Sequence, residues 1–222
     1  HIVLVNQTYG TGSGIVLAQP LVRNETQTVI LTNNHVIEGA YGASDVRIFS
    51  DGQRAIAKRL YVAPKNIDLA IIIVPGAIGT PVERVNVSGE KGQAVVALGS
   101  PLGFTGSVSK GIISNFVINE NKNYTFAHVQ TDAAINPGNS GGGLFLESDG
   151  GLVGINTYGY SETEGLGFAI DYREINALPP YTDWLNWTAP YRCSDGTPLG
   201  YCSNSQPLAC VGGELDMIGA CQ

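Results

Sequence analysis

Short apolar, β-branched runs recur along the chain, each bounded by glycine, proline, asparagine or serine. Runs of this kind with period-two alternation predict β-strands, because successive side chains point to opposite faces of a sheet. The pattern places strands at Gly14 to Ala18, Thr28 to Thr32, Val46 to Phe49, Ala55 to Val62, Leu69 to Val74, Ala94 to Leu98, Ser107 to Asn119, Phe126 to Thr131, Gly143 to Leu146, Leu152 to Thr157 and Gly167 to Ile170. One helix is expected after the last strand. Asp171 stands as its cap, Glu174 as the reciprocal partner three residues on, and Pro179-Pro180 as its end. The chain therefore reads as all-β. Pro75-Gly76, Gly79, Pro81 and Gly89 divide the strands into two groups, giving expected units at 1–80 and 81–178. From residue 179 the periodicity stops, and Tyr, Trp, Pro, Ser and Cys take over as a C-terminal extension, 179–222.

Composition narrows the functional classes. Hydrophobic residues make up 43% and charged residues only 14% of the 222, a globular balance with enough chain for a sizeable core. The longest apolar run, Leu69 to Val74, is stopped by Pro75-Gly76, so no transmembrane segment is expected. The net charge of −7, without a Lys/Arg stripe, disfavours a nucleic-acid partner. All four cysteines, Cys193, Cys202, Cys210 and Cys221, lie in the extension with no close pair, which suits two disulfides of undetermined connectivity better than zinc. No metal or other cofactor is expected. Glycosylation sequons begin at Asn6, Asn24, Asn86, Asn123 and Asn186. With the even cysteine set they point to an oxidising location, secreted or at the cell surface.

The candidate chemistry centres on Gly138-Asn139-Ser140-Gly141-Gly142, where flanking glycines let backbone amides approach a reacting carbonyl. The G-x-S-x-G pattern also describes the nucleophile elbow of α/β-hydrolases, but that class needs a histidine after the serine, and none follows Ser140. His35, then an aspartate, then Ser140 is the chymotrypsin order. Asp68 immediately precedes an apolar strand, which suits an orienting carboxylate at a strand entrance with little water around it. Asp45, Asp51 and Asp132 are its rivals. His128 sits inside an alternating strand and reads as an ordinary strand residue.

Thr32-Asn33-Asn34-His35-Val36-Ile37-Glu38-Gly39, Asn66-Ile67-Asp68-Leu69-Ala70 and Thr131 through Gly142 resemble the three catalytic segments of the HtrA/Deg serine proteases. Gly12-Ser13-Gly14-Ile15-Val16, Gly154-Ile155-Asn156-Thr157 and Gly165-Leu166-Gly167-Phe168-Ala169-Ile170 extend the likeness over roughly residues 10 to 172. The resemblance implies a chymotrypsin-like pair of six-stranded β-barrels with the site in the cleft between them. By position it makes His35 the general base, Asp68 its orienter and Ser140 the nucleophile, with the N–H groups of Gly138 and Ser140 as oxyanion hole.

Ala134, six positions before Ser140, stands where trypsin carries an acid, and the resemblance puts Ile135 and Leu166 on the same pocket walls. A small or medium aliphatic residue is then expected before the scissile bond. Thr157, Tyr158 and Gly159 match the strand that pairs with substrate, so unfolded or extended polypeptides are the implied partners. About 50 residues follow Ile170, so the family's PDZ domain is not expected there, and self-association through a barrel surface or the extension is the expected assembly. A different class remains open: a protease-like structural or adhesive surface subunit without turnover.

Overall fold

The computed structural model describes residues 1–63, 67–83, 88–100, 106–121, 124–159, 165–175 and 178. Two β-layers are present. The first contains β1 (Ile2–Gln7), β2 (Gly10–Ala18), β3 (Leu21–Val22), β4 (Glu25–Thr32), β5 (Arg47–Ser50), β6 (Gln53–Ile56), β7 (Arg59–Val62) and β8 (Ala70–Pro75). It runs in the order β6-β5-β1-β2-β4-β8-β7, with β3 paired to β4. The second contains β9 (Ala94–Gly99), β10 (Ser107–Asn121), β11 (Tyr124–Thr131), β12 (Gly143–Leu146), β13 (Leu152–Gly159) and β14 (Gly167–Asp171), closed as the barrel β10-β11-β14-β13-β12-β9. The double-barrel architecture is thus present, with one difference. The first layer is an open sheet of eight strands, not a closed ring of six.

Alternation explains the packing. On β8, Ala70, Ile72 and Val74 fill the first layer's own core with Val5, Val16 and Ile48, whereas Ile71 and Ile73 face a second cluster with Val29 and Leu31 of β4. That second cluster takes in Phe145, Leu152, Ile155 and Ile170 from the barrel, so it is the seam between the layers. The run at β8 shows no polar positions because both of its faces are covered. Val95, Ala97, Ile113, Val129, Leu144 and Ala169 form the barrel's interior.

Three departures from the expected elements have local causes. β1 is buried on both faces and lacks the alternation that would announce it. The expected strand Ala55 to Val62 is two strands, because the chain changes partner between them: Ala57 N–H donates to the Val46 carbonyl at 2.9 Å and Lys58 N–H to the Ile73 carbonyl at 2.8 Å. The helix α2 (Tyr172–Ile175) begins after Asp171, whose Oδ1 accepts the Arg173 N–H at 2.9 Å as a cap should. Glu174 does not complete a capping box; its Oε1 accepts the Ala127 N–H at 2.8 Å and ties α2 to β11. The cysteines, and the sequons at Asn86, Asn123 and Asn186, lie outside the described residues. Asn24 is exposed at the β3–β4 turn with φ +65°, and Asn6 is half-buried within β1. Among the described residues no helix is long and apolar enough to cross a membrane.

Candidate active site

His35 is carried by the single turn α1 (Asn34–Ile37), which follows β4 directly. Val36 and Ile37 are buried and anchor the turn, leaving the imidazole on its open side, 44% exposed. A Cβ on Gly12 would lie 2.7 Å from both Val36 methyls, so glycine is what lets α1 seat against β2. The fully buried Asn33 donates from Nδ2 to the Asp68 carbonyl at 2.9 Å, joining the segment before α1 to the segment before β8.

Asp68 accepts three hydrogen bonds. Its Oδ1 takes the His35 backbone N–H at 2.9 Å, and its Oδ2 takes His35 Nδ1 at 2.7 Å and the Thr157 hydroxyl at 3.0 Å. An ionised carboxylate can only accept, so Nδ1 carries the hydrogen and Nε2 is left as the basic nitrogen of neutral His35. The carboxylate is 32% exposed, so three donors, more than the expected lack of water, hold it in place. Burial lowers the His35 pKa, but the hydrogen bond and charge of Asp68, with Glu38 behind them, outweigh it and leave it raised above the ordinary 6.5. Of the rival acids, Asp45 holds the Thr8 hydroxyl, Asp132 accepts the Ile112 N–H, and Asp51 sits in the β5–β6 turn with φ +45°. None of these contacts involves His35.

Ser140 lies on the loop leading into β12. Its hydroxyl donates to the Thr157 carbonyl at 2.8 Å and not to His35. Thr157 thus touches both the Asp68 carboxylate and the Ser140 hydroxyl, which gathers the three expected residues around one residue of β13. A serine side chain exchanges between staggered χ1 wells, so the contact made here is one of a small set.

Around Ser140 the backbone alternates between occupied and open groups. Asn139 N–H donates to the Asn136 carbonyl and Gly141 N–H to the Asn156 carbonyl, both at 2.9 Å. Among the described residues the Gly138 and Ser140 N–H groups find no acceptor, and Gly138 sits at φ +94°. Ser13, buried on β2, reaches this loop from the other layer; its N–H donates to the Ser140 carbonyl at 2.8 Å and its hydroxyl to the Gly138 carbonyl at 2.6 Å. Asn156, also fully buried, donates to the Leu98 and Gly143 carbonyls at 3.2 Å each. Neither role was legible in the sequence beyond the presence of a polar residue inside an otherwise apolar strand.

The expected pocket residues are brought together in part. Ile135 packs over two glycines: a Cβ on Gly167 would meet its Cγ1 at 2.7 Å, and one on Gly159 would meet its carbonyl at 2.7 Å. Ala134 is exposed, with its carbonyl accepting the Ser109 hydroxyl at 2.8 Å, and Leu166 is half-buried ahead of β14. Pairing of β12 with β13 ends at Gly143↔Ile155, while Tyr158↔Phe168 and Gly159↔Gly167 continue on the β14 side. Thr157 falls at the irregularity between Asn156 and Tyr158, and Tyr158 and Gly159 lie past the last β12–β13 pair. His128 is buried on β11 against the rings of Phe126, Tyr158 and Phe168. Burial lowers its pKa, against the smaller opposing pull of Asp68 and Asp171.

Residues 12–155 match the trypsin-like peptidase domain. The chain belongs to that family. This trypsin-like domain is 37% identical over 180 residues to the serine protease Do-like HtrA of Bacillus subtilis, covering 76% of this chain and 38% of the relative. It is 38% identical over 170 residues to a probable periplasmic serine endoprotease, DegP-like, of Hahella chejuensis, covering 74% of this chain and 34% of the relative. Among solved structures, the serine endoprotease from Yersinia pestis superposes with a TM-score of 0.65 at 30% identity, over 86% of this chain and 65% of that one. The chain spans well under half the length of the curated relatives it matches.

Proposed function

We propose that this trypsin-like domain is a serine endopeptidase with His35, Asp68 and Ser140 as its triad. The observation that carries the reading is the set of bonds at Asp68. The carboxylate fixes His35 with a basic Nε2, and through Thr157 it shares a residue with the Ser140 hydroxyl. In the reaction the Ser140 Oγ leaves the Thr157 carbonyl, gives its proton to His35 Nε2 and attacks the scissile carbonyl carbon. The oxygen of that carbonyl takes the negative charge and is received by the open N–H groups of Gly138 and Ser140. Each such donor is worth about 3 kcal/mol in the transition state. The imidazolium, steadied by Asp68, returns the proton to the leaving amine as the C–N bond breaks. Water then repeats the sequence on the Ser140 ester and releases the acid.

Substrate enters as an extended segment along Thr157–Gly159, a reading supported by the end of the β12–β13 pairing at Gly143↔Ile155, before that stretch begins. Ile135, lying over Gly159 and Gly167, leaves room for a small or medium aliphatic side chain before the scissile bond. We place the two units at 1–80 and 81–178 and the disulfide-tied extension at 179–222. An extracytoplasmic location is supported by the relatives named periplasmic. The competing reading, a surface subunit without turnover, draws on the Ser140 hydroxyl donating to the Thr157 carbonyl and not to His35.

Digestion of casein by the wild type and by Ser140→Ala, with cleavage sites mapped by mass spectrometry and Ser140 labelled by a fluorophosphonate, separates the two. Cleavage after Val, Ala or Leu that vanishes in Ser140→Ala is the expected result. A folded wild type that neither cleaves nor labels refutes the peptidase reading.

A further inference from the structure

Ser13 is fully buried at the junction of the two layers, and every polar group it owns is engaged. Its N–H donates to the Ser140 carbonyl at 2.8 Å and its hydroxyl to the Gly138 carbonyl at 2.6 Å. The same oxygen accepts the Ser100 N–H at 2.7 Å, and its carbonyl accepts the Thr32 hydroxyl at 2.7 Å. Two of these four bonds therefore end on the residues whose N–H groups are open.

The consequence lies in which peptide planes are held. The 138–139 plane is fixed at both ends, its carbonyl by Ser13 and its N–H by the Asn136 carbonyl. The 140–141 plane is fixed likewise, its carbonyl by Ser13 and its N–H by the Asn156 carbonyl. Between them lies the 139–140 plane, whose N–H belongs to Ser140 and whose carbonyl accepts the Gly142 N–H at 2.9 Å, and ahead of them the 137–138 plane, whose N–H belongs to Gly138. A peptide plane held at its own carbonyl and bracketed by two fixed planes has little freedom to rotate, so the direction of the Ser140 N–H is set by the Gly142 bond together with the two neighbouring planes that Ser13 holds. Gly138, at φ +94°, tolerates either sense of its leading plane, and only its carbonyl end is anchored. Packing reinforces the clamp, since a Cβ on Gly141 would fall 2.1 Å from the Ser13 carbonyl oxygen and 2.3 Å from Thr32 Oγ1.

We propose that Ser13 is a positioning residue that aims the Gly138 and Ser140 N–H groups at the developing oxyanion, so that the first β-layer sets the geometry of a hole built on the second. The proposal rests on the peptidase reading above. Ser13 touches no substrate, and its effect falls on the transition state and not on the bound peptide, because the ground-state carbonyl depends little on donors aimed where the oxyanion will sit.

The test compares the wild type with Ser13→Ala, which removes the hydroxyl and keeps both backbone bonds, on a peptide cleaved by the wild type. Rates are normalised to active sites counted by the end point, not the rate, of fluorophosphonate labelling. The expected result is a fall in kcat of about 10- to 100-fold with KM within twofold. Affinity for a peptide boronate, which forms a tetrahedral adduct, falls in parallel. Affinity for the uncleaved peptide, measured in the Ser140→Ala background with and without Ser13→Ala, stays within twofold. The pH midpoint stays at the wild-type value, since His35 and Asp68 are untouched.

Ser13→Cys, which keeps the shape and holds both bonds more weakly, carries the test if the alanine variant does not fold; its kcat is expected between the other two. An active wild type whose folded Ser13 variants keep kcat within twofold, or lose substrate and boronate affinity equally, overturns the role of Ser13 alone. A wild type that hydrolyses no peptide overturns the peptidase reading and this proposal with it.

Discussion

Asp68→Asn is the sharpest perturbation of the site. The carboxylate presents two oxygens to three donors: the His35 backbone N–H at 2.9 Å, His35 Nδ1 at 2.7 Å and the Thr157 hydroxyl at 3.0 Å. An asparagine of the same shape has one oxygen. If that oxygen faces the backbone N–H, its NH₂ faces Nδ1, which must become an acceptor; the ring hydrogen then moves to Nε2, and His35 no longer takes a proton from Ser140. If the amide is flipped, the NH₂ meets the His35 N–H donor to donor, and the imidazolium formed in catalysis has no anion beside it. Both arrangements disable the base. The analogous exchange in serine proteases lowers kcat by about 10⁴-fold, which at 1.36 kcal/mol per tenfold is about 5 kcal/mol of transition-state stabilisation.

The assay is kcat/KM for a cleavable peptide against pH. On the peptidase reading the wild-type rate should climb as His35 loses its proton, with the midpoint shifted upward because Asp68 and Glu38 outweigh burial. In Asp68→Asn the burial remains and the main raising partner is gone, so the midpoint moves down as the rate falls. Stability carries the opposite pH signature. A histidine whose pKa is raised in the folded state contributes stability that is complete below the unfolded pKa and lost as pH rises through the folded one. The wild type should therefore exceed the variant in stability by more at pH 5 than at pH 9. A variant within tenfold of wild-type activity, or one whose midpoint does not move, refutes this account of Asp68.

Two further substitutions probe the loop and the pocket. Gly141→Ala places a Cβ at φ +82° and 2.1 Å from the Ser13 carbonyl oxygen. Strain and overpacking at roughly 1–3 kcal/mol each should lower the unfolding free energy by about 2–6 kcal/mol, read as a reduced urea midpoint at constant m; a loss below about 1 kcal/mol contradicts the close approach. Ile135→Ala opens the space over Gly159 and Gly167, so cleavage after Phe should gain on cleavage after Val by about tenfold or more in a competing-peptide assay. An unchanged ratio removes Ile135 from the pocket.

Much of this arrangement could be read from the residues. Period two located most strands, the order His35, Asp68, Ser140 with its glycines singled out three residues, and the family resemblance implied a cleft between the two units for them. What stayed hidden depended on partners remote in sequence. The run at β8 does not reveal that Ile72 and Ile71 serve different cores until both layers cover it. Glu174 satisfies the capping pattern, yet a distant N–H on Ala127 outcompetes the local one. The break at Ala57 reflects a change of neighbouring strand, and nothing in Ala55 to Val62 interrupts its β pattern. Ser13 and the facing of the Ser140 hydroxyl are matters of three-dimensional neighbourhood, invisible to spacing.

The shared seam of Ile15, Leu31, Leu69 and Ile71 with Phe145, Leu152 and Ile170 has a bearing on durability. His35 and Asp68 ride on one side of it and Ser140 with Thr157 on the other, so neither half holds the whole proposed triad. On the peptidase reading, a single nick in the connector after β8 should leave both fragments glued by that oily junction with hydrolysis intact, and prising the junction apart should silence both pieces at once.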